Sequence, residues 1–363
     1  MTLHIFNPEH DIALAAGLDN FTAPHAGRQL RHDLGWLPTL WAAEGDAILV
    51  DDVEYAKRKL QRRKRILAHS NVQLQTWTQQ PHQQPDCIDV WGWDADIKAR
   101  LHRMGISEEL LPTNEKLEEI RLLSHRRTSA KLLAQLTSGD ATSKLLVGKA
   151  KECKTAEEIL TGISQYGQVV LKAPWSSSGR GIRFVNREMS VSEQGWLKNI
   201  LQRQGSVMLE PYYNKVKDFG MEFASDGKGH ISYLGLSLFH TANGAYTGNL
   251  LATESRKREE MGRFLPITLL DEVKQAICRQ LAESIGTTYE GPFGIDMMIV
   301  SNTDSTKPML LHPCVEINLR RTMGHVAIAL NANINPSNDD DLVKVMRIGL
   351  IDHQYKLEIT RLK

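Results

Sequence analysis

The sequence predicts a mixed α/β and α+β protein with a parallel α/β domain at the N-terminus, a small flap domain in the middle and a larger antiparallel-sheet domain at the C-terminus. Three observations carry this. Short apolar runs alternate with helical stretches over residues 1–122, the pattern of β-α-β units on a parallel sheet. Around 168–185 two β-branched runs flank a glycine and serine loop, which reads as a hairpin. Beyond 207 the strands are longer and lack a helix between most of them, which favours antiparallel pairing. The predicted domains are therefore 1–122, 123–206 and 207–363.

Element by element, Leu3 to Phe6 is a first strand, followed by the polar turn Asn7-Pro8-Glu9-His10-Asp11 and a helix beginning near Ile12. Ala47 to Val50 is a second strand and Cys87 to Trp91 a third, with helices between. From Thr128 a short helix leads into the flap domain, which ends near Gly205; Val207 to Tyr213 forms a hinge. Strands follow near Gly220–Ala224, His230–Leu238, Ile295–Val300 and Met309–Leu319, with a helix over Leu270–Ile285, where apolar residues recur at helical spacing. The acids at Asp339-Asp340-Asp341 suit the N-terminus of a helix running to Arg347, and Tyr355 to Ile359 alternates like an edge strand.

Composition narrows the function class. With 363 residues, 41% hydrophobic content and a net charge of +1, this is an ordinary globular chain with neither sign of charge dominant. The first residues lack a basic segment followed by an apolar core, and no stretch approaches the roughly 20 apolar residues of a membrane span. The four cysteines, Cys87, Cys153, Cys278 and Cys314, show no CxxC spacing, which argues against a disulfide framework or a zinc site and for a reducing, cytoplasmic setting. His312 and Cys314 share a strand face with Glu316, but a buried thiol beside a strand-end histidine is the simpler account than a soft-metal site. The basic block Lys57 to Arg65 spreads around a helix and reads as a solvated face rather than a nucleic-acid patch.

Two motifs carry chemistry. Gly291-Pro-Phe-Gly-Ile-Asp296 and Leu310-Leu-His-Pro-Cys-Val-Glu316-Ile-Asn318-Leu-Arg320 read as neighbouring strands bearing oxygen ligands. Side chains two apart on a strand share a face, so Glu316 and Asn318 can address one ion that Asp296 reaches from next door. Arg320 follows on that face, whereas Arg321 must point away. Magnesium accepts one or two carboxylates and leaves its other positions to water and phosphate, so the set implies Mg2+, or Mn2+, with a bound nucleotide. Upstream, Lys172 ends a short strand and Ser176, Ser177, Ser178, Gly179 and Gly181 form a loop whose N–H and hydroxyl groups suit phosphate oxygens. A P-loop or a dinucleotide fingerprint would need a helix after the glycines, and here Ile182 to Val185 reads as strand.

In this order the segments resemble the ATP-grasp superfamily across about half the chain: a lysine-ending strand, a small-residue loop, an apolar-Glu hinge at Val207-Met-Leu-Glu210, then Asp296 and Glu316-Ile-Asn318-Leu-Arg320. The resemblance implies that Met208, Leu209 and Glu210 take the adenine of ATP, Asp218 the ribose, and Arg127, standing where the family usually has lysine, a phosphate. It implies an ADP-forming ligase that activates a carboxylate as an acylphosphate for an amine, thiol or other nucleophile, with Lys172 and Arg320 acting on the transferring phosphoryl. Candidate contacts to the acid and nucleophile substrates are Asn7, Glu9 and His10 at the first strand end and His240, Asn243 and Asn249 in a glycine-rich segment; a helix cap and a hairpin turn are the plainer accounts. Trp91-Gly-Trp93-Asp94 could line the same cleft. A small-molecule kinase, a nucleotide-binding protein without turnover and a nucleic-acid protein stand as rivals, and nothing in the sequence separates ligase from kinase.

Overall fold

The structure is a computed structural model that describes residues 1–63, 71–79, 83–138, 142–176, 181–242, 245–302 and 308–361. The N-terminal sheet holds β1 (Thr2–Ile5), β2 (Ala47–Val50), β3 (Gln73–Thr76) and β4 (Cys87–Val90), all parallel, in the order β3-β2-β1-β4. Around it run α1 (His10–Ala16), α2 (His25–Leu34), α3 (Val53–Gln61) and α4 (Ala95–Arg103). The strand at Cys87 is thus fourth in sequence, because Gln-Leu-Gln-Thr at 73–76 carries too little apolar pattern to announce itself. Helix α1 starts at His10, two residues before the expected point, since the Asn7 and Glu9 carbonyls already accept the amides of His10 and Ile12. The basic block begins on α3, where Lys59 and Arg63 lie over the rings of Tyr55 and Trp36, and its last two residues fall outside the described ones.

Next come α5 (Asn114–Leu123) and α6 (Arg126–Thr137), then a sheet made of β5 (Lys151–Cys153), β6 (Gln168–Lys172), β7 (Ile182–Asn186) and β8 (Val207–Pro211), ordered β5-β8-β6-β7, with α7 (Ala156–Tyr166) and α8 (Val191–Gln204) against it. Alternation sorts its side chains: Val169, Leu171, Val207 and Leu209 pack with Ile159, Ile163 and Leu197 into a closed core. Lys172, Met208 and Glu210 consequently fall on the other face.

The C-terminal part forms two sheets rather than the single one expected. One contains β9 (Lys215–Asp226), β10 (Ile231–Ser237), β13 (Glu290–Val300) and β14 (Leu310–Asn318), ordered β10-β9-β13-β14 and antiparallel throughout. The other joins the hairpin β11 (Phe239–Ala242) and β12 (Ala245–Leu251) to β15 (Lys344–Ile351) and β16 (Gln354–Arg361). Helices α9 (Glu254–Gly262), α10 (Ile267–Ala282), α11 (Ile285–Thr288) and α12 (Met323–Ile334) complete the chain. The helix expected up to Arg347 is a turn and then strand β15. Its acids serve elsewhere, the Asp339 carboxylate taking the Asp341 amide and Asp340 accepting from the Thr253 and Ser255 hydroxyls at the start of α9, and the apolar residues beyond them pair with β12 and β16. The edge strand expected at Tyr355 is present as β16.

Phe219, Met221, Phe223, Phe293, Ile295, Met297 and Ile317 bury one face of the first C-terminal sheet against α6 and α10. The opposite face is left for polar work.

Candidate nucleotide and metal site

Strand register builds that polar face in two rows. Ser237, Gly220, Asp296 and Glu316 stand side by side across β10, β9, β13 and β14, and Gly235, Glu222, Gly294 and Asn318 form the next row. Asp296 and Glu316 are direct cross-strand partners, and the Asn318 amide donates to Asp296 at 3.1 Å. The three expected metal ligands are therefore together. Two acids so placed repel: burial first, then the neighbouring Glu316 and Glu222 carboxylates, push Asp296 up to about 7. A cation bound there would relieve that repulsion, so the donor set, two carboxylates and one amide oxygen, fits a hard divalent ion that takes its remaining ligands from water and phosphate. Among the described residues no group of three or more His, Cys, Asp or Glu is gathered for a metal, which also leaves the His312 and Cys314 pair without a third partner. His312 is wholly buried with both ring nitrogens unpartnered, and burial followed by the charge of Lys172 lowers it to about 3.

The sheet of β5 to β8 meets this face through Lys172. Its ammonium lies 2.7 Å from Glu210 and donates to the Val315 carbonyl at 3.4 Å, next to Glu316. Glu210 is thus the ion-pair partner of Lys172. Leu209 points into the closed core against Gly162, so only its backbone is free to face a base, whereas Met208 stands beside Lys172 in register. Ser176 folds tightly over Gly181, where a Cβ would come within 2.2 Å of its hydroxyl. Ser177, Ser178, Gly179 and Asn243 lie outside the described residues. Asp218 is on β9 and accepts from Lys215 at 2.6 Å and Thr241 at 2.8 Å.

Arg127 is a correction. Its side chain is half-exposed and pairs with Glu152 at 3.4 Å, because α6 turns successive residues about 100° apart. The neighbouring Arg126 enters the site instead: buried, it donates to Glu316 at 2.6 Å, to the Ser176 hydroxyl at 2.8 Å and to the Ala173 carbonyl. Nothing in the string Arg126-Arg127 told them apart. Arg320 donates to both carboxylate oxygens of Asp11 at 2.7 Å and to Asn318 at 3.0 Å. Asp11 was the one acid of its turn not singled out as a substrate contact, although it is the one that reaches this face.

Asn7, Glu9, His10 and Asn249 are engaged in contacts within the frame. Asn7 donates to the Gly92 carbonyl at 2.8 Å, and His10 meets Asp94 at 3.0 Å with its ring packed over Gly92, where any Cβ would clash. Asp94 caps α4, and Glu9 is buried against Arg31. Asn249 is fully buried, joined to Ser237 at 2.8 Å and to the Tyr246 hydroxyl; His240 is exposed on the hairpin. Trp91 and Trp93 pack in core clusters. Sequence reasoning also missed Glu222, which accepts from Thr322 at 2.8 Å and lies 3.0 Å from His325 at the start of α12. Its parity with Gly220 was a usable signal, but only with the register known.

Comparison with known proteins bears on this architecture. No protein-family model and no curated protein sequence matches the chain. Solved structures do. N5-carboxyaminoimidazole synthetase from Staphylococcus aureus, complexed with ADP, matches over 96% of this chain and 82% of its own at 14% identity and a TM-score of 0.53. Biotin carboxylase from Campylobacter jejuni, in a β,γ-ATP complex, matches over 97% of this chain and 76% of its own at 12% identity and a TM-score of 0.51. The chain has the ATP-grasp fold. A third ATP-grasp structure, the biotin carboxylase domain of Hydrogenobacter thermophilus 2-oxoglutarate carboxylase with MgADP, ADP and bicarbonate, covers 86% of this chain and 76% of its own at 14% identity and a TM-score of 0.50. No described helix is long and apolar enough to cross a membrane.

Proposed function

We propose that this protein is an ATP- and magnesium-dependent ligase that activates a small carboxylic acid as an acylphosphate for attack by an amine or other nucleophile, releasing ADP. The observation that carries the reading is the 3.4 Å contact between the Lys172 ammonium and the Val315 carbonyl, which sets the flap lysine beside the strand that bears Glu316 and Asn318. The ADP, MgADP and bicarbonate named for the structures of the same fold support it. On this reading the chain divides into an N-terminal domain over 1–122, a flap over 123–206 and a metal-bearing domain over 207–363.

Asp296, Glu316 and Asn318 would hold the metal, which when bound supplies positive charge to the phosphate oxygens. Lys172 and the Ser176 to Gly181 loop would hold the phosphates, Met208 with the Leu209 backbone the base, and Asp218 the ribose. Arg320, held by Asp11, would act on the phosphoryl group in transit. Positioning and electrostatics carry most of such a transfer, so the fixed cations matter more than any covalent step by the protein.

The test is ADP formation from Mg-ATP across a panel of acids, each with and without amines. Release that depends on both partners and yields free phosphate supports a ligase. A stable phosphorylated product establishes a kinase instead, and absence of heat on mixing with Mg-ADP ends the nucleotide reading altogether.

A further inference from the structure

The arginine that reaches the metal carboxylate has a chemical consequence of its own. Asp296 and Glu316 face each other, and like charges directly opposed destabilise a sheet unless a cation joins them. The nearby cations are mostly committed: both carboxylate oxygens of Asp11 hold Arg320, and Glu210 holds Lys172. Among the described residues, the cation that ion-pairs with Glu316 is Arg126, at 2.6 Å.

Arg126 is also tied to the phosphate loop. Its guanidinium donates to the Ser176 hydroxyl at 2.8 Å, the Ser176 carbonyl at 3.4 Å and the Ala173 carbonyl, while its Nε is buried without an acceptor. One incompletely satisfied guanidinium therefore spans the loop suited to phosphate and the carboxylate suited to metal.

We propose that Arg126 is an internal counter-cation that occupies Glu316 until a nucleotide arrives, then turns to the nucleotide's phosphates and frees Glu316 for the divalent ion. This rests on the nucleotide-site reading above and adds to it an order of binding. A guanidinium and a divalent cation repel each other on one carboxylate. Metal arriving alone must expel Arg126 from Glu316, while the neighbouring Asp11 is already held through both oxygens by Arg320. Metal arriving with a nucleoside diphosphate or triphosphate brings phosphate oxygens, which guanidinium binds in paired, charge-assisted hydrogen bonds. Nucleotide and metal thereby strengthen each other's binding reciprocally.

The experiment measures Mn2+ affinity by electron paramagnetic resonance on the full chain, with and without ADP, for wild type, Arg126→Gln and Arg126→Lys. Wild type is expected to bind Mn2+ weakly alone and at least about tenfold more tightly with ADP. Arg126→Gln, having removed the competing cation, is expected to bind Mn2+ alone about tenfold more tightly than wild type, with a smaller gain from ADP. Should that variant fail to fold, Arg126→Lys decides the matter: an ammonium cannot span Ser176 and Glu316 together, so a smaller gain in the same direction is expected. Nucleotide-free Mn2+ affinity unchanged in the folded variant, or wild-type affinity indifferent to ADP, overturns the proposal. Mn-ADP binding that persists alongside either result leaves the nucleotide reading standing; loss of ADP binding by wild type in calorimetry sinks both.

Discussion

Lys172 on β6 and Glu210 on the adjacent β8 have their charged ends 2.7 Å apart, with almost no solvent around either. Removing one member of a buried pair strands the other charge, at a cost of about 3–5 kcal/mol. Lys172→Met should therefore lower the midpoint of urea unfolding sharply, and the double variant with Glu210→Gln should recover most of the loss. ADP affinity, measured by calorimetry, should stay low in both, because the phosphate contact proposed for Lys172 is missing whether or not the fold is repaired. Normal ADP binding by the double variant would remove Lys172 from the site.

Glycine at position 324 makes room for a carboxylate. A Cβ there would lie 1.8 Å from a Glu222 oxygen and 2.6 Å from the Ser237 hydroxyl, at the buried start of α12. Gly324→Ala should destabilise the protein by about 1–3 kcal/mol or more, since the crowded core atoms have nowhere to move. Gly195, exposed in the middle of α8 with nothing near its missing Cβ, should behave oppositely, Gly195→Ala adding about 0.5–1 kcal/mol through chain entropy. Equal effects of the two substitutions in denaturant titrations would contradict the packing described at α12.

His125 sets an acid limit. It is fully buried at the N-cap of α6, its Nδ1 accepting the Arg127 amide at 2.9 Å, so it must stay neutral to do its task. Burial, then the positive charge of Arg127, lowers it to about 4 from an ordinary 6.5. The unfolded chain thus binds a proton that the native one refuses. Its contribution is complete above pH 6.5 and is lost as the pH falls from there towards 4, on the order of 2–3 kcal/mol in all. Stability followed from pH 7.5 to 4.5 should fall less steeply in His125→Asn, which keeps a neutral cap; an identical slope would acquit His125.

The segment just after β14 is moored to the N-terminal sheet through Asp89. It accepts from Arg321 with both oxygens at 3.0 Å, from Trp41 at 2.9 Å and from His4 at 2.8 Å. Burial opposes the charge, yet Arg321 and His4 hold the carboxyl well below the usual range. Asp89→Asn keeps the shape and loses the charge, so a fall on the order of 2 kcal/mol in unfolding free energy is expected. No change in the denaturation midpoint would reduce Asp89 to a solvated ion pair.

Periodicity made much of this legible. Ala47 to Val50, a solid apolar run on a buried parallel strand, could be read to the residue at both ends. The alternation in Glu316-Ile317-Asn318 fixed which side chains share a face, because a strand side chain has only two directions to choose from. Where pattern was thin or local signals competed, the reading failed: β3 is polar, and the acids before Lys344 advertise a helix that long-range pairing with β12 and β16 replaces with a strand.

By itself, then, the sequence determined the kinds of atoms available, the lysine-ended strand, the glycine and serine loop and the faces of the strands that carry Asp296 and Glu316, since these follow from the geometry of a few neighbouring residues. Only the tertiary structure decided that Asp296 stands opposite Glu316, that Arg126 rather than Arg127 turns inward, and that Asp11 steadies Arg320 across 309 positions of chain. Those are matters of register, helical phase and long-range ion pairing, and they are settled by packing between segments that carry no local record of one another.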